Sequence, residues 1–473
     1  MTNLTWKGAN LIPSLLILVI STFFWFLTPP EGINVQTWHL FVIFIATIAA
    51  VIAKPLPMGA LAIIAIAFLA LTNTLELKEC LSTFSSNVVW LVIMAFFLAR
   101  GFSKTGLGTR VAYLFIRSLG KSTLGLSYGF VFTELCLSPL IPSNTARGAG
   151  TIYPIVSALA LKQGSDPSKG TQRQIGAFLI KVCFHANTIT SAMFLTAMVG
   201  NPLITGFAQG VGIKIDWMTW AIACIVPGLV HLLVVPLAIY ILYPPHIKKS
   251  PEATIHAQEK LQEMGRLSRD EWIMMGTFGI TLTLWICSEA WGVDPATSAI
   301  LGLSILLFSG VLDWKDILNE KGAWETMLWF APLLMMATFL TKFAMMDWLS
   351  HQMQGYVSGL HWSTAFVVLI LFYYYIHYCF ASITAHVTAL YSAFLFTMIS
   401  LGTPPILAAM SLAVASSLSG TLTHFGSGSA PVFFGAGYIS VAEWWRLSFI
   451  LSLIALLIWF AVGGIWWKAL GYW

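Results

Sequence analysis

Long apolar runs without a charged side chain set the first constraint on this chain. Residues 447–467 pass 21 positions without Asp, Glu, Lys or Arg, residues 11–28 pass 18, and residues 217–243 do the same. A helix rises 1.5 Å per residue and a bilayer core is about 30 Å thick, so roughly 20 such residues cross it. Backbone groups in hydrocarbon must pair within the protein, which leaves helices as the spanning element for runs of this length. Charged residues make up only 9% of the 473, against roughly a quarter in soluble domains. The chain therefore reads as an all-α polytopic membrane protein. Its net charge of +5 follows membrane topology rather than a basic patch, which excludes nucleic acid as a partner and leaves the lipid bilayer.

In order, the pattern predicts spans at 11–28, 38–53, 58–71 and 85–99, then a basic amphipathic surface helix at 100–121. Region 122–161 has two short apolar halves around a break at Pro139 and Pro142, with basic residues on both flanks. It reads as a re-entrant hairpin. Residues 175–208 form a broken helix unwound near Gly200, and 217–243 a further span. The charged stretch 244–271 reads as a linker between two halves, 1–243 and 272–473. The second half repeats the plan: spans at 272–291, 297–312 and 326–341, a loop at 313–325, an amphipathic segment at 347–360, a hairpin at 361–401, a broken helix at 406–438, and the final span. About 11 transmembrane helices and two hairpins in an inverted repeat result. With the N-terminus cytoplasmic and the C-terminus external, 18 of the 24 Lys and Arg fall inside.

Each hairpin carries a polar island: Ser143-Asn144-Thr145 in the first, Ser382-Ile383-Thr384 in the second. Corresponding interruptions in two inverted halves are a pointer to a transport site. Helices restarting at the tips aim free N–H groups and positive dipole ends at one point. The breaks at Gly200-Asn201-Pro202 and at Ser427 and Ser429 would close the cage, which suits a small dianion. Isolated Ser and Thr residues that merely bridge helices are the competing explanation, weakened here by the matched pairing of islands and breaks.

Arg147 and His386 each stand four residues after their serine. They either balance substrate charge, or fill places where other transporters bind sodium, or serve structure, Arg147 by pairing with Glu134 and His386 as a neutral core residue. His185 and His424 carry the same choice. Six scattered cysteines without CxxC spacing imply neither disulfide framework nor zinc site, and no cofactor or metal is expected. With no HExxH and no acidic pair on a span, an enzyme is not expected. Paired hairpins favour alternating access over a continuous channel.

At these residues the chain resembles the divalent anion/sodium symporter family, whose signature is a pair of Ser-Asn-Thr motifs on opposed hairpin tips. The first motif matches fully, whereas Ile383 replaces the amide of the second and His386 follows it. The stretches 377–382 with 386–394, and 422–425 with 435–438, resemble the exchanger branch, which holds plastid 2-oxoglutarate/malate translocators and bacterial citrate/succinate or tartrate/succinate antiporters. The resemblance implies a homodimer, a scaffold domain, and a transport domain moving like an elevator. It also implies sodium-independent exchange of dicarboxylates such as 2-oxoglutarate, malate, succinate and fumarate, with a sodium-coupled symporter as the alternative. Without a transit peptide, a bacterial plasma membrane is the expected location.

Overall fold

A computed structural model describes residues 8–357 and 361–473. Lys7, counted above as cytoplasmic, and the end of the amphipathic segment 347–360 lie outside the described residues.

All regular elements among the described residues are helical. The first helices are α1 (Leu11–Trp25), α2 (Val35–Ala53), α3 (Met58–Leu71) and α4 (Asn87–Thr105). The basic stretch that follows is not one surface helix. Its first basic residues, Arg100 and Lys104, end α4, and Gly106, at φ 74, turns the chain into α5 (Leu107–Leu119). Arg110 is turned inward, where it grips Glu271 through Nε at 2.5 Å and three backbone carbonyls, including Gly265 O at 2.9 Å.

Next come α6 (Thr123–Leu137), a π-helical turn Ala146–Ile152, and α7 (Tyr153–Lys162), which together form the first hairpin. Then follow α8 (Gly176–Met193), α9 (Gly200–Gly210) and α10 (Trp217–Leu242). The charged linker contains a helix, α11 (Pro251–Met264), which lies on α5. Proline at its first position and the Lys260–Glu263 pair at 2.6 Å explain how a polar stretch holds helix there.

The second half contains α12 (Arg269–Ile286), α13 (Pro295–Phe308), α14 (Trp314–Asn319), α15 (Lys321–Lys342) and α16 (Met345–Val357). It continues with α17 (Trp362–Tyr375), α18 (Ile383–Ser400), α19 (Pro405–Ser419), α20 (Ala430–Gly435) and α21 (Val441–Ile458), and α22 (Gly464–Ala469) ends it. The loop expected at 313–325 is partly helical, because Asp313 and Asp316 form a capping box that starts α14.

Packing falls into two neighbourhoods. Helices α3, α4, α12, α13 and α15 pack on one another, and α6, α8, α10, α17, α18, α19 and α21 form the other group, joined to the first through α9 and by contacts of α10 with α12 and of α18 with α15. At the centre of the second group α8 packs on α19. Every residue of α8 is buried, as is every residue of α19 from Leu407 on. By contrast α1 buries none of its side chains, and a cavity of about 540 Å³ lies between it, α2 and α3, lined by apolar residues such as Leu18, Val42 and Phe68.

Candidate functional site

Each central helix ends in a break, and each hairpin tip reaches a break. After α8 the backbone is extended at Phe194 and Met198, with a single 3-10 turn between them. Helix resumes at Gly200, so the unwound stretch is 194–199, slightly earlier than the Gly200-Asn201-Pro202 break read from the sequence, and those three residues open α9. Asn201 explains how α8 can stop in a buried place. Its Nδ2 donates to Ser191 O at 2.7 Å and Phe194 O at 2.9 Å, carbonyls the truncated helix leaves open. Thr196 Oγ1 donates to Pro139 O at 2.8 Å, tying this break to the first hairpin. The second break, 420–429, separates α19 from α20, as its glycines predict.

The two tips share one hydrogen-bond pattern. Ser143 Oγ accepts from Ala146 N at 3.1 Å and Ser143 O from Arg147 N at 3.0 Å. Ser382 Oγ accepts from Ala385 N at 3.5 Å and Ser382 O from His386 N at 3.1 Å. Both serines are therefore N-caps whose own hydroxyl hydrogens stay free to donate. The next two amides in each tip, Asn144 and Thr145, Ile383 and Thr384, start their helices and make no backbone hydrogen bond to a described residue. Ser143, Thr145, Ser382 and Thr384 are half-buried, and Asn144 is buried.

Asn187 on α8 draws the first tip together. Its Nδ2 donates to Asn144 O at 3.1 Å and to Glu134 Oε1 at 3.1 Å, while its Oδ1 accepts from Ser429 Oγ at 3.0 Å. Ser427 lies 3.5 Å from Ser429, hydroxyl to hydroxyl, and Gly428 is pressed against Thr145. The second tip meets the other break. Ile383 packs against Gly200 and Gly420, and a Cβ on Gly420 would also lie 3.2 Å from Ser427. The apolar side chain that replaces the amide thus plugs the space between the breaks. Ser417 Oγ donates to Asn201 Oδ1 at 3.4 Å, linking α19 to α9. The structure thus brings Ser143, Asn144, Thr145, Ser427 and Ser429 together at one tip, and sets Ile383, between Ser382 and Thr384, beside Gly200 at the other.

Of the readings open for the four candidate cations, the contacts match the structural one, Arg147 with Glu134 and the histidines within the core. Arg147 is fully buried and donates to Glu134 Oε2 at 2.7 Å, Ile141 O at 2.7 Å, Ala197 O at 3.0 Å, Asn187 O at 3.3 Å and Ser191 Oγ at 2.7 Å. A buried guanidinium demands such partners, so its charge is spent on Glu134 and on loop carbonyls. His386 lies inside the second hairpin. Its Nδ1 is 3.0 Å from His377 Nδ1, and its ring packs on Tyr373 with centroids 4.3 Å apart. His377 Nε2 lies 2.9 Å from Gly426 O and must donate to it, so His377 Nδ1 accepts from His386 Nδ1–H when both rings are neutral. His424 accepts from Trp445 Nε1 at 3.0 Å, away from both tips. His185 is buried next to Phe184 on the half of α8 before Asn187. Among the described residues no group of three His, Cys, Asp or Glu is placed to hold a metal ion.

Sequence reasoning left Asn187 and His377 out of the site. A single amide in a buried helix reads as helix–helix bonding, and only its place in the polar run Asn187-Thr188-Ile189-Thr190-Ser191 hinted at more.

The family model for the sodium:sulfate symporter transmembrane region matches residues 8–473. The chain belongs to this family, the divalent anion/sodium symporters. Family members similar to it include YflS of Bacillus subtilis (strain 168), named as a candidate malate transporter, 52% identical over 99% of this chain and 98% of that one. Dicarboxylate transporter 1, chloroplastic, of Spinacia oleracea is 47% identical over 99% of this chain and 83% of its own. Inner membrane protein YbhI of Escherichia coli (strain K12) is 36% identical over 97% and 98%. Among solved structures, the Alcanivorax borkumensis YdaH transporter, described as having an unusual topology, aligns with a TM-score of 0.55 at 13% identity over 97% of each chain, a likeness of fold. The symporter family and these named transporters establish a multi-pass membrane transporter rather than an enzyme.

Proposed function

We propose that this transporter exchanges small dicarboxylates, 2-oxoglutarate, malate, succinate and fumarate among them, without sodium. Relatives named for dicarboxylate or malate transport support the substrate class. The observation that carries sodium independence is the position of Arg147. Carbonyl oxygens from the first tip, from the first break and from α8, joined by the Ser191 hydroxyl, are the donor set a hard cation takes. Here a side-chain cation holds them permanently. The half-buried hydroxyls of Ser143, Thr145, Ser382 and Thr384, with the open tip amides, supply donors for two carboxylates.

The reading includes a homodimer in a bacterial plasma membrane, N-terminus inside and C-terminus outside. The helices around α8 and α19 move as an elevator against the others, alternately exposing the site. A sodium-coupled symporter is the second reading, favoured by the intact Ser143-Asn144-Thr145 motif. Uptake of labelled malate into proteoliposomes decides between them. Uptake that requires internal diacid and ignores the replacement of sodium by choline is expected. Uptake driven by a sodium gradient into empty vesicles would overturn the proposal.

A further inference from the structure

Helix α1 packs on α2 but buries no side chain, so the boundary between it and the rest of the protein is not closed. The crevice of about 540 Å³ between α1, α2 and α3 is lined along α1 from Ser14 to Phe26, roughly 18 Å at 1.5 Å per residue. Its mean cross-section is therefore about 30 Å². That admits an unbranched hydrocarbon chain but not an α-helix, whose diameter of about 10–12 Å needs about 80–110 Å².

The wall offers little to a polar guest. Of the five hydroxyls that line it, those of Ser14, Ser21, Thr47 and Thr72 each donate to the carbonyl four residues back in the same helix, at 2.6–2.8 Å. An apolar void of this kind at membrane depth stays free of water, and the molecules around it are lipids.

Charge marks the end that a headgroup would take. Between residues 8 and 75 the only Asp, Glu, Lys or Arg are Glu31, between α1 and α2, and Lys54, which is exposed and ends α2. Pro55 and Leu56 line the crevice next to Lys54, and Asn10 N donates to Pro55 O at 3.0 Å, so the start of α1 closes on this end. In the orientation proposed above, Lys54 faces the cytoplasm, where a basic residue attracts anionic headgroups.

The far side of the same wall touches the second tip. Ile17, Ala50, Leu56 and Leu61 line the crevice and also pack in one apolar cluster with Phe380 and Ala385. Ala385 N is the donor to Ser382 Oγ, the cap of that tip. One layer of side chains thus separates the crevice from the backbone that presents Ser382.

We propose that the crevice holds an acyl chain of an anionic phospholipid, its headgroup beside Lys54, and that this chain steadies the second substrate tip through α2 and α3. The lipid site stands apart from the dicarboxylate reading; its effect on malate rests on that reading. A chain in the crevice supplies the packing contacts that its walls lack, and a tip already held in place loses less freedom when substrate binds.

Native mass spectrometry of purified protein, titrated with phosphatidylglycerol or phosphatidylcholine, counts the bound lipid. Wild type should bind phosphatidylglycerol about fivefold more tightly than phosphatidylcholine, and Lys54→Gln should bind the two alike. Ile63 and Ile64 are neighbours on α3, both exposed, and of the two only Ile64 lines the crevice. Ile64→Trp should therefore lose the tightly bound lipid and Ile63→Trp should keep it. In nanodiscs, malate should bind wild type about fivefold or more tightly in phosphatidylglycerol than in phosphatidylcholine, and Ile64→Trp equally in both. Equal lipid binding by the two tryptophan variants would mean an adventitious lipid only and overturn the proposal. Equal affinity of wild type for the two lipids, or a wild-type malate affinity indifferent to lipid, would overturn it as well. A wild type that binds malate in neither lipid would instead defeat the dicarboxylate reading, and the lipid counts would still decide the site.

Discussion

Arg147→Ala tests whether a guanidinium stands where a metal cation would otherwise sit. The substitution removes the 2.7 Å contact to Glu134 and leaves that fully buried carboxylate with only polar neighbours such as Asn187 and Thr190. Breaking a buried pair from one side costs about 3–5 kcal/mol, because the remaining charge is uncompensated. It also vacates Ile141 O, Ala197 O, Asn187 O and Ser191 Oγ, so an oxygen cage with one negative charge remains. Sodium should bind there. At a concentration a hundred times its dissociation constant it would return about 2.7 kcal/mol, most of the loss. The assay is thermal unfolding of purified protein in sodium chloride and in choline chloride at equal ionic strength. The variant should unfold at lower temperature in choline and recover, saturably, in sodium, while wild type ignores the exchange of salts. A variant as stable as wild type, or a sodium shift of equal size in both, would refute the reasoning.

Two further expectations follow from packing and charge. A methyl group on Gly148 would lie 2.9 Å from Asn187 Cγ, so Gly148→Ala must push Asn187 off Asn144, Glu134 and Ser429; an overpacking cost of about 1–3 kcal/mol predicts a fall in exchange rate of roughly fivefold to a hundredfold, and unchanged uptake would contradict it. At Asp316, burial pushes the carboxyl up, but the Lys104 hydrogen bond, the Asp313 backbone and the charges of Lys104 and Arg100 outweigh it and hold it below its usual range. Its stabilisation is therefore complete above about pH 4 and fades as pH falls through the lowered value. Asp316→Asn should cost about 1 kcal/mol in neutral buffer, with the gap to wild type closing as pH falls through the lowered value; a constant gap in unfolding temperature would argue otherwise.

What could be read ahead of the structure was what depends on local rules. A serine following a chain break and preceding a restarting helix is a cap wherever it occurs, so Ser143 and Ser382 were legible as tips. Glycine and proline announced both breaks within a few residues. Glu134 was legible as a partner for Arg147 because an intramembrane cation needs a nearby carboxylate, 13 residues away across the turn. The pairing of His377 with His386 across the second hairpin was not, since helical periodicity cannot say which face of a hairpin leg looks at the other leg. The helix in the linker was missed because its charges read as solvated loop, although Pro251 at its start and the Lys260–Glu263 spacing were local signals for it; its packing on α5 is a contact no local pattern encodes.

The bond from Ser429 to Asn187 joins residues 242 apart in the chain, which has a consequence for how the protein is made. At roughly 5–20 residues per second a ribosome needs about 12–50 s to pass from one to the other. During that interval α8, a helix whose native environment is protein on every side, faces lipid or the insertion machinery without α19 or the second break. Glu134 and Arg147 are only 13 residues apart, so they can pair long before the second half exists and let the first hairpin enter the bilayer with that charge neutralised.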